Sequence, residues 1–525
     1  MMKKKNVLHI PALVLLALMA APSGAISQPG NASDYAEQLD SLEHKLVWIE
    51  KRFAQEQLSL LLGGRADSVE FFPRLRRRVL SSAFVENSEN PDELTPGSID
   101  HRRYLLLQPG CRLAQVDINR TVRSTYDTLQ TFFVSDRRAS ARTRKDSLLA
   151  VVNEGNRRSE REAAWRFLAA APESEAHAMA RLFRLRNQVT GKMGYRNYFS
   201  LLNQSMIPVG SDYGRRLDEI DSVTARAYSR LINDLKASYQ PGSVEIWDLK
   251  SSFDNTLSEA DGYFPANGQD DLVKATLGAL GFDLDNLPIY FHSDSVSLSA
   301  GHFETIAVDA PNDVRIVGQP VDGFRSMTAL MRAAGIAVYF TKIREGSPTF
   351  LHLVDQAWVD AIGDFFESLC YDEEWLTRFA GVPTALTRRL KSTYGSFQLI
   401  DTRQDLVMAR FEWDIYNSQI TDANDRYWEF FSDIMQLPKH DDLSPWASEH
   451  RLVDRPLSFY NRLLARSAAS QTMGYLKEDY PSLFSSQVGS FLIHNYFRFG
   501  NRYDWRELVE RATGKPLSVV YLDDM

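Results

Sequence analysis

Two charged side chains interrupt apolar helical segments near the middle of this chain. Arg332 lies within residues 327–340, and Asp360 lies within 358–364. A helix that binds catalytic zinc carries H-E-x-x-H, because two histidines four residues apart share one face and the glutamate activates the metal-bound water. The residues at that spacing here are Arg332, Ala333 and Ile336, and Asp360 stands where the following helix would supply a carboxylate ligand. Arginine keeps its proton and isoleucine has no donor atom, so we predict that this spacing neither binds zinc nor supplies a general base.

Several other motifs occur in register with these positions. Gly335, Tyr339 and Phe340 match a pattern H-H-E-M-G-H-x-x-Y-F that starts one residue before position 332. Further matches are D-V-R-I at 313–316, D-A-I-G-D at 360–364, H-x6-P-x3-Y at 450–460, and the segment 505–517. The chain therefore resembles the angiotensin-converting-enzyme-like (peptidyl-dipeptidase A) gluzincin metallopeptidases, in their bacterial branch and with a degenerate zinc motif. The resemblance extends over residues 180–525.

The resemblance implies a mainly α-helical, two-lobed gluzincin peptidase fold around a deep cleft, with a small antiparallel β-sheet beside the site. The degenerate motif falls on predicted helices 328–343 and 356–370. His302, His450 and Tyr460 are implied to line a peptide-binding cleft. Zinc is the cofactor expected for the family, and we predict that this chain holds none. We expect Arg332 to form an ion pair with Asp360, with the guanidinium in the place of the metal cation.

Local patterns predict the elements that position these residues. Alternating apolar residues at 289–291, 305–308 and 314–317, separated by turn-forming residues, predict three strands. Apolar residues at helical spacing predict helices over 31–62 and 212–239. The segment 253–270 contains Asp-Asn, Asp-Gly and an isolated glycine, and it is predicted to be a loop.

The N-terminus has a basic start, Met1–Lys5, followed by a short apolar run and small residues up to Ala25. This pattern predicts a signal peptide over 1–25, a single peptidase-like domain over 26–525, and export to the periplasm or the exterior. The apolar run is shorter than the roughly 20 residues that span a bilayer, so we do not expect an integral membrane protein. A net charge of −8, with basic clusters interleaved with acids, argues against nucleic-acid binding. Cys111 and Cys370 could form a disulfide or remain as buried thiols.

Three functional hypotheses follow. The first is an exported pseudopeptidase that binds a peptide or protein ligand without cutting it, and therefore is not an enzyme. The second is an active zinc metallopeptidase, peptidyl-dipeptidase-like, that uses a relocated metal site built from His302, His352 and Asp360. The third is a structural or interaction protein whose cleft has collapsed. We favour the first, because the spacing at 332–336 has lost both metal ligands and base. The identity of the ligand and the oligomeric state are left open.

Overall fold

The computed structural model describes residues 32–64, 71–81, 98–137, 139–206, 213–239, 244–294, 296–345, 347–418 and 422–522. The helices that precede the sheet are α1 (Ala32–Leu61), α2 (Phe71–Ser81), α3 (Ile99–Ile118), α4 (Arg120–Arg137), α5 (Ala139–Glu154), α6 (Arg158–Ala169), α7 (Glu173–Lys192), α8 (Tyr198–Met206), α9 (Tyr213–Ser238), α10 (Asp254–Asp261) and α11 (Ala266–Ala279). The strands are β1 (Ile289–His292), β2 (Phe303–Asp309) and β3 (Asp313–Gly318). The helices that follow are α12 (Phe324–Lys342), α13 (Pro348–His352), α14 (Gln356–Leu369), α15 (Thr384–Asn417), α16 (Ala423–Met435), α17 (Arg451–Asp454), α18 (Ser458–Asp479), α19 (Ser486–Asn495) and α20 (Trp505–Thr513). The prediction of a mainly α-helical peptidase fold with one small sheet is confirmed.

The sheet has the strand order β1-β3-β2. Strands β2 and β3 are antiparallel, as the short turn that pairs Asp309 with Asp313 requires. Strand β1 pairs with β3 in the parallel direction. The predicted antiparallel sheet is therefore wrong in one strand pair. The connection over residues 293–302 is long enough to carry the chain past the position of β3, so β3 inserts between the two earlier strands.

Helices α12 and α14, which correspond to the two predicted motif helices, pack against each other within the main hydrophobic core. The approach is close at Gly335, where an added Cβ would lie 2.1 Å from Cγ of Phe366. Asp355 begins α14 by accepting a hydrogen bond from the backbone N–H of Ala357 at 2.9 Å. The helix pair is thus positioned by a small residue on one helix and an N-cap on the other.

The predicted loop over 253–270 is wrong, because all of α10 and the first turn of α11 lie within it. Asp254 is the first residue of α10, where a carboxylate favours the positive end of the helix dipole. Pro265 occupies the N-cap position of α11, where its missing N–H costs no hydrogen bond. Residues typical of turns therefore mark two helix starts in this segment.

Both cysteines are free and buried, in different hydrophobic clusters. Burial raises the pKa of Cys111 to about 12, so this thiol stays protonated. The predicted signal segment lies outside the described residues. In the described ranges, no helix combines the length and apolar character needed to cross a membrane.

Candidate functional site

The site consists of one guanidinium and three carboxylates. Arg332 extends from α12 toward Asp360, Asp364 and Glu367, which occupy one face of α14 because they are four and three residues apart. Nη1 of Arg332 donates a hydrogen bond to Asp364 and lies 3.6 Å from Glu367, and Nη2 lies 3.4 Å from Asp360. The ion pair expected between Arg332 and Asp360 is present, but Asp364 is the nearer partner.

A glycine makes room for this arrangement. The guanidinium lies against the backbone of Gly363, where an added Cβ would be 2.7 Å from Cζ and 2.9 Å from Nη1 of Arg332. A Cβ at that distance would force the arginine to move. Gly363 is therefore what allows the arginine to lie between the two helices.

Three carboxylates face one guanidinium, and this excess of negative charge affects the pKa of each group. Burial raises the pKa of Glu367 to about 7, with Arg332 opposing the rise and Asp364 adding to it. Burial likewise raises the pKa of Asp360. Burial alone would lower the pKa of Arg332, but the three carboxylates outweigh it and the pKa is raised. The side chains of the four residues are 20–29% exposed, so the cluster is reached by solvent at its edge.

A second group of ion pairs adjoins the cluster where α15 and α18 approach α14. Lys250 lies 2.7 Å from Asp401, and Asp405 lies 2.6 Å from Arg466. The field of Asp401 raises the pKa of Glu367 further. The Asp405–Arg466 pair joins α15 to α18, and the Lys250–Asp401 pair joins α15 to the segment before α10.

The three predicted cleft residues have other neighbours. His302 is exposed, and its backbone N–H donates to the carbonyl of Ser299 at 3.1 Å. His450 is half-buried, with Nε2 3.9 Å from Glu175 on α7. The ring of Tyr460 is buried, with its centroid 4.2 Å from that of Tyr213. A shared cleft-lining role for His302, His450 and Tyr460 stays a prediction.

The relocated metal site has no matching geometry in the structure. The side chain of His352 is 6% exposed and lies 3.9 Å from Asp309. Burial, followed by the charge of Lys51, lowers the pKa of His352 to about 4. Asp360 is instead engaged by Arg332. Among the described residues, no group of three or more His, Cys, Asp or Glu side chains is arranged to hold a metal ion.

The residues between α12 and α14 do not fit a catalytic zinc. Such a zinc requires three donor side chains and an open coordination position. The Arg332 guanidinium has only N–H groups and no lone pair with which to bind zinc. The Ala333 side chain has no group that could transfer a proton. The carbonyl of Ala333 accepts a hydrogen bond from the Thr305 hydroxyl at 2.8 Å, which fixes β2 against this turn of the helix.

Sequence reasoning missed Asp364 and Glu367 as partners of Arg332. Their spacing from Asp360 was a usable signal, because residues i+4 and i+7 face the same way on a helix. The role of Gly363 carried no such signal, since it depends on which residue of the other helix lies opposite.

No protein-family model matches the chain, and no curated protein matches it. Several solved structures have a similar fold. The M32 carboxypeptidase from Deinococcus radiodurans R1 has 14% identity and a TM-score of 0.60, covering 93% of this chain and 97% of that chain. Trypanosoma cruzi metallocarboxypeptidase 1 has 14% identity and a TM-score of 0.60, covering 93% and 98%. Pyrococcus furiosus carboxypeptidase has 13% identity and a TM-score of 0.59, covering 93% and 97%.

These matches correct the family predicted from sequence. The structural neighbours are M32 carboxypeptidases, a different metallopeptidase family, so the peptidyl-dipeptidase A prediction is wrong. Two of the residues that suggested it are explained by packing: Gly335 accommodates Phe366, and Gly363 accommodates Arg332. Small residues at such points follow from two helices in close contact and do not identify a family. At this identity the likeness establishes one thing, that the chain has a mainly α-helical, metallopeptidase-like fold of the M32 carboxypeptidase type.

Proposed function

We propose that this chain is a non-catalytic protein of peptidase fold that binds a peptide or protein ligand. The observation that carries the proposal is the position of Arg332, whose guanidinium contacts Asp360, Asp364 and Glu367 between the two helices. A permanent cation in that place repels a metal ion and occupies carboxylates that could otherwise bind one. We propose that the protein is exported to the periplasm or the exterior, where it would meet peptide ligands.

The experiment is a paired measurement on the purified full chain. Elemental analysis gives zinc per chain, and hydrolysis is followed on peptides with free carboxyl termini, with and without a chelator. We expect far less than one zinc per chain and no chelator-sensitive cleavage. The same peptides, labelled with a fluorophore, should bind saturably in an anisotropy titration. Stoichiometric zinc together with chelator-sensitive cleavage would show that the protein is a working metallopeptidase.

One observation favours a second candidate, an interaction protein in which this region is purely structural. Further ion pairs lie close to the cluster, between Lys250 and Asp401 and between Arg466 and Asp405, as in a structural network. The anisotropy titration separates the two candidates. Saturable peptide binding supports the first, and the absence of binding with full thermal stability supports the second.

A further inference from the structure

A cavity lies outside the site described above, between α9 and the 3-10 helix Val519–Leu522. Its volume is about 540 Å³. Binding sites for small molecules usually have volumes of roughly 300–1,000 Å³, so a ligand of several to many heavy atoms would fit. Arg215, Asp218 and Glu219 line the α9 wall, and Ser518 and Val520 line the C-terminal wall.

Gln471, on α18, fixes the C-terminal wall. Its Nε2 donates hydrogen bonds to the hydroxyl of Thr513 at 3.0 Å and to the carbonyl of Lys515 at 2.9 Å. Its Oε1 accepts the backbone N–H of Ser518 at 3.0 Å. The Ser518 hydroxyl in turn accepts the backbone N–H of Val520 at 3.3 Å, and the Val520 side chain is 60% exposed. The chain therefore holds an exposed apolar side chain in a fixed place, and a preformed wall lowers the entropy lost on binding.

The α9 wall carries opposite charges one helical turn apart. Arg215 and Glu219 are four residues apart, so their Cβ atoms lie roughly 5–6 Å from each other on one face of the helix. Nε of Arg215 lies 3.8 Å from Oε1 of Glu219, and the side chains are 65% and 40% exposed. Glu219 also accepts a hydrogen bond from Arg216 at 3.3 Å, and Asp218 pairs with Arg410 at 2.6 Å. A guanidinium has five N–H groups and a carboxylate has about four acceptor sites, so these pairs leave capacity for a ligand.

Charges of both signs beside an apolar wall indicate a zwitterionic ligand with apolar side chains. The length of the ligand follows from the spacing of the charges. Two extended residues span about 7 Å at most, close to the distance between charges one helical turn apart. A free amino acid carries its ammonium and its carboxylate on one carbon atom, so it is too short to reach both.

We propose that this cavity binds a dipeptide with apolar side chains. The dipeptide carboxylate contacts Arg215 near the first turn of α9, where the helix dipole also favours an anion. The ammonium contacts Asp218 and Glu219. The apolar side chains lie against Val223 and Val520. This inference is independent of the function proposed above, because it concerns a different site.

The experiment is a calorimetric titration of the full chain with leucyl-leucine. We expect saturable binding at one site per chain. N-acetyl-leucyl-leucine lacks the ammonium and leucyl-leucinamide lacks the carboxylate, so each should bind about tenfold more weakly. Free leucine should also bind about tenfold more weakly, because its two charges cannot span the helical turn.

Arg215→Gln tests which side chain contacts the carboxylate. This variant should weaken the binding of leucyl-leucine about tenfold and leave the binding of leucyl-leucinamide unchanged, because the amide has no carboxylate to lose. The matched control is Arg157→Gln, which removes an arginine whose side chain is 79% exposed and should leave the binding of both ligands unchanged. Thermal unfolding of the two variants checks that each is folded.

Two results would overturn the proposal. The first is that leucyl-leucine does not bind saturably, or binds no better than its two blocked forms. The second is that Arg215→Gln binds leucyl-leucine as tightly as the wild-type chain does. That second result would mean that the dipeptide binds elsewhere, and it would leave the peptide-binding function proposed above intact.

Discussion

Asp364 is the carboxylate closest to Arg332, and it lies one helical turn beyond Asp360. This ordering predicts how strongly each pair is coupled. In double-mutant cycles with Arg332→Ala, the coupling free energy should be largest with Asp364→Ala and smaller with Asp360→Ala and Glu367→Ala, because the attraction weakens with distance. Each cycle is measured by urea unfolding. The exposed pair Arg157–Glu160, at 3.1 Å, is the control, and its coupling should be no more than about 0.5 kcal/mol. Equal coupling for all three carboxylates would contradict the geometry.

Removing the cation alone should destabilise the fold. Arg332→Ala leaves three carboxylates facing one another between packed helices, and we expect a loss of about 3 kcal/mol in the free energy of unfolding at neutral pH. The edge of the cluster is solvated, so the loss should lie at the lower end of the range for a broken buried pair. Arg332→Lys tests the shape of the group, because an ammonium cannot contact two carboxylates through a planar fork. A loss below 0.5 kcal/mol for Arg332→Ala would mean that the cluster is a solvated surface feature.

Gly363 should be far less tolerant of substitution than an open helical glycine. Gly363→Ala places a methyl group 2.7 Å from the arginine Cζ, so the guanidinium must shift and its contacts with the carboxylates weaken. We expect destabilisation in Gly363→Ala, measured by thermal unfolding, and partial recovery when it is combined with Arg332→Ala. The matched control is Gly278→Ala on α11, where an added Cβ meets no atom within 4 Å. That control should be neutral or slightly stabilising, because alanine has the better helix propensity.

Loss of the Glu367 proton should make the free energy of unfolding fall as pH rises toward neutral. Its pKa is raised from 4.5 to about 7 by burial, so between these values the folded state binds more protons than the unfolded state. Stability from the neutral carboxyl is then present below pH 4.5 and lost as pH rises through 7. Glu367→Gln should remove this part of the pH dependence, and the stability difference from wild type should grow between pH 4.5 and 7. A difference that is constant with pH would show that Glu367 titrates normally in the fold.

The sequence predicted the strands and helices whose formation depends on residues close together along the chain. The three strands follow from alternating apolar residues, whereas helices α12 and α14 were expected from the resemblance of the motif segments. The parallel pairing of β1 with β3 was missed, since pairing direction depends on how the 293–302 connection crosses the sheet. The Asp-Asn pair at 254–255 indicates a turn by its residue types, although aspartate also begins helices, as Asp254 does in α10. The contact between Arg332 and Gly363 joins two helices. The apolar spacing within either helix does not indicate which residue of the other helix lies opposite, so this contact could not be predicted from sequence.

Restoring the zinc-binding residues is the strongest test of whether Arg332 excludes a metal from this site. Arg332→His and Ile336→His would place two imidazoles on one face of α12, and Asp360→Glu would lengthen the carboxylate on α14. Ala333→Glu would add the base. The quadruple variant should bind zinc at least a hundredfold more tightly than wild type, because three ligands replace a repelling cation. Calorimetric titration with zinc measures this without requiring activity. The control keeps Arg332 and carries the other three changes, and it should bind zinc no better than wild type. If both variants bind equally, the arginine is not what excludes the metal.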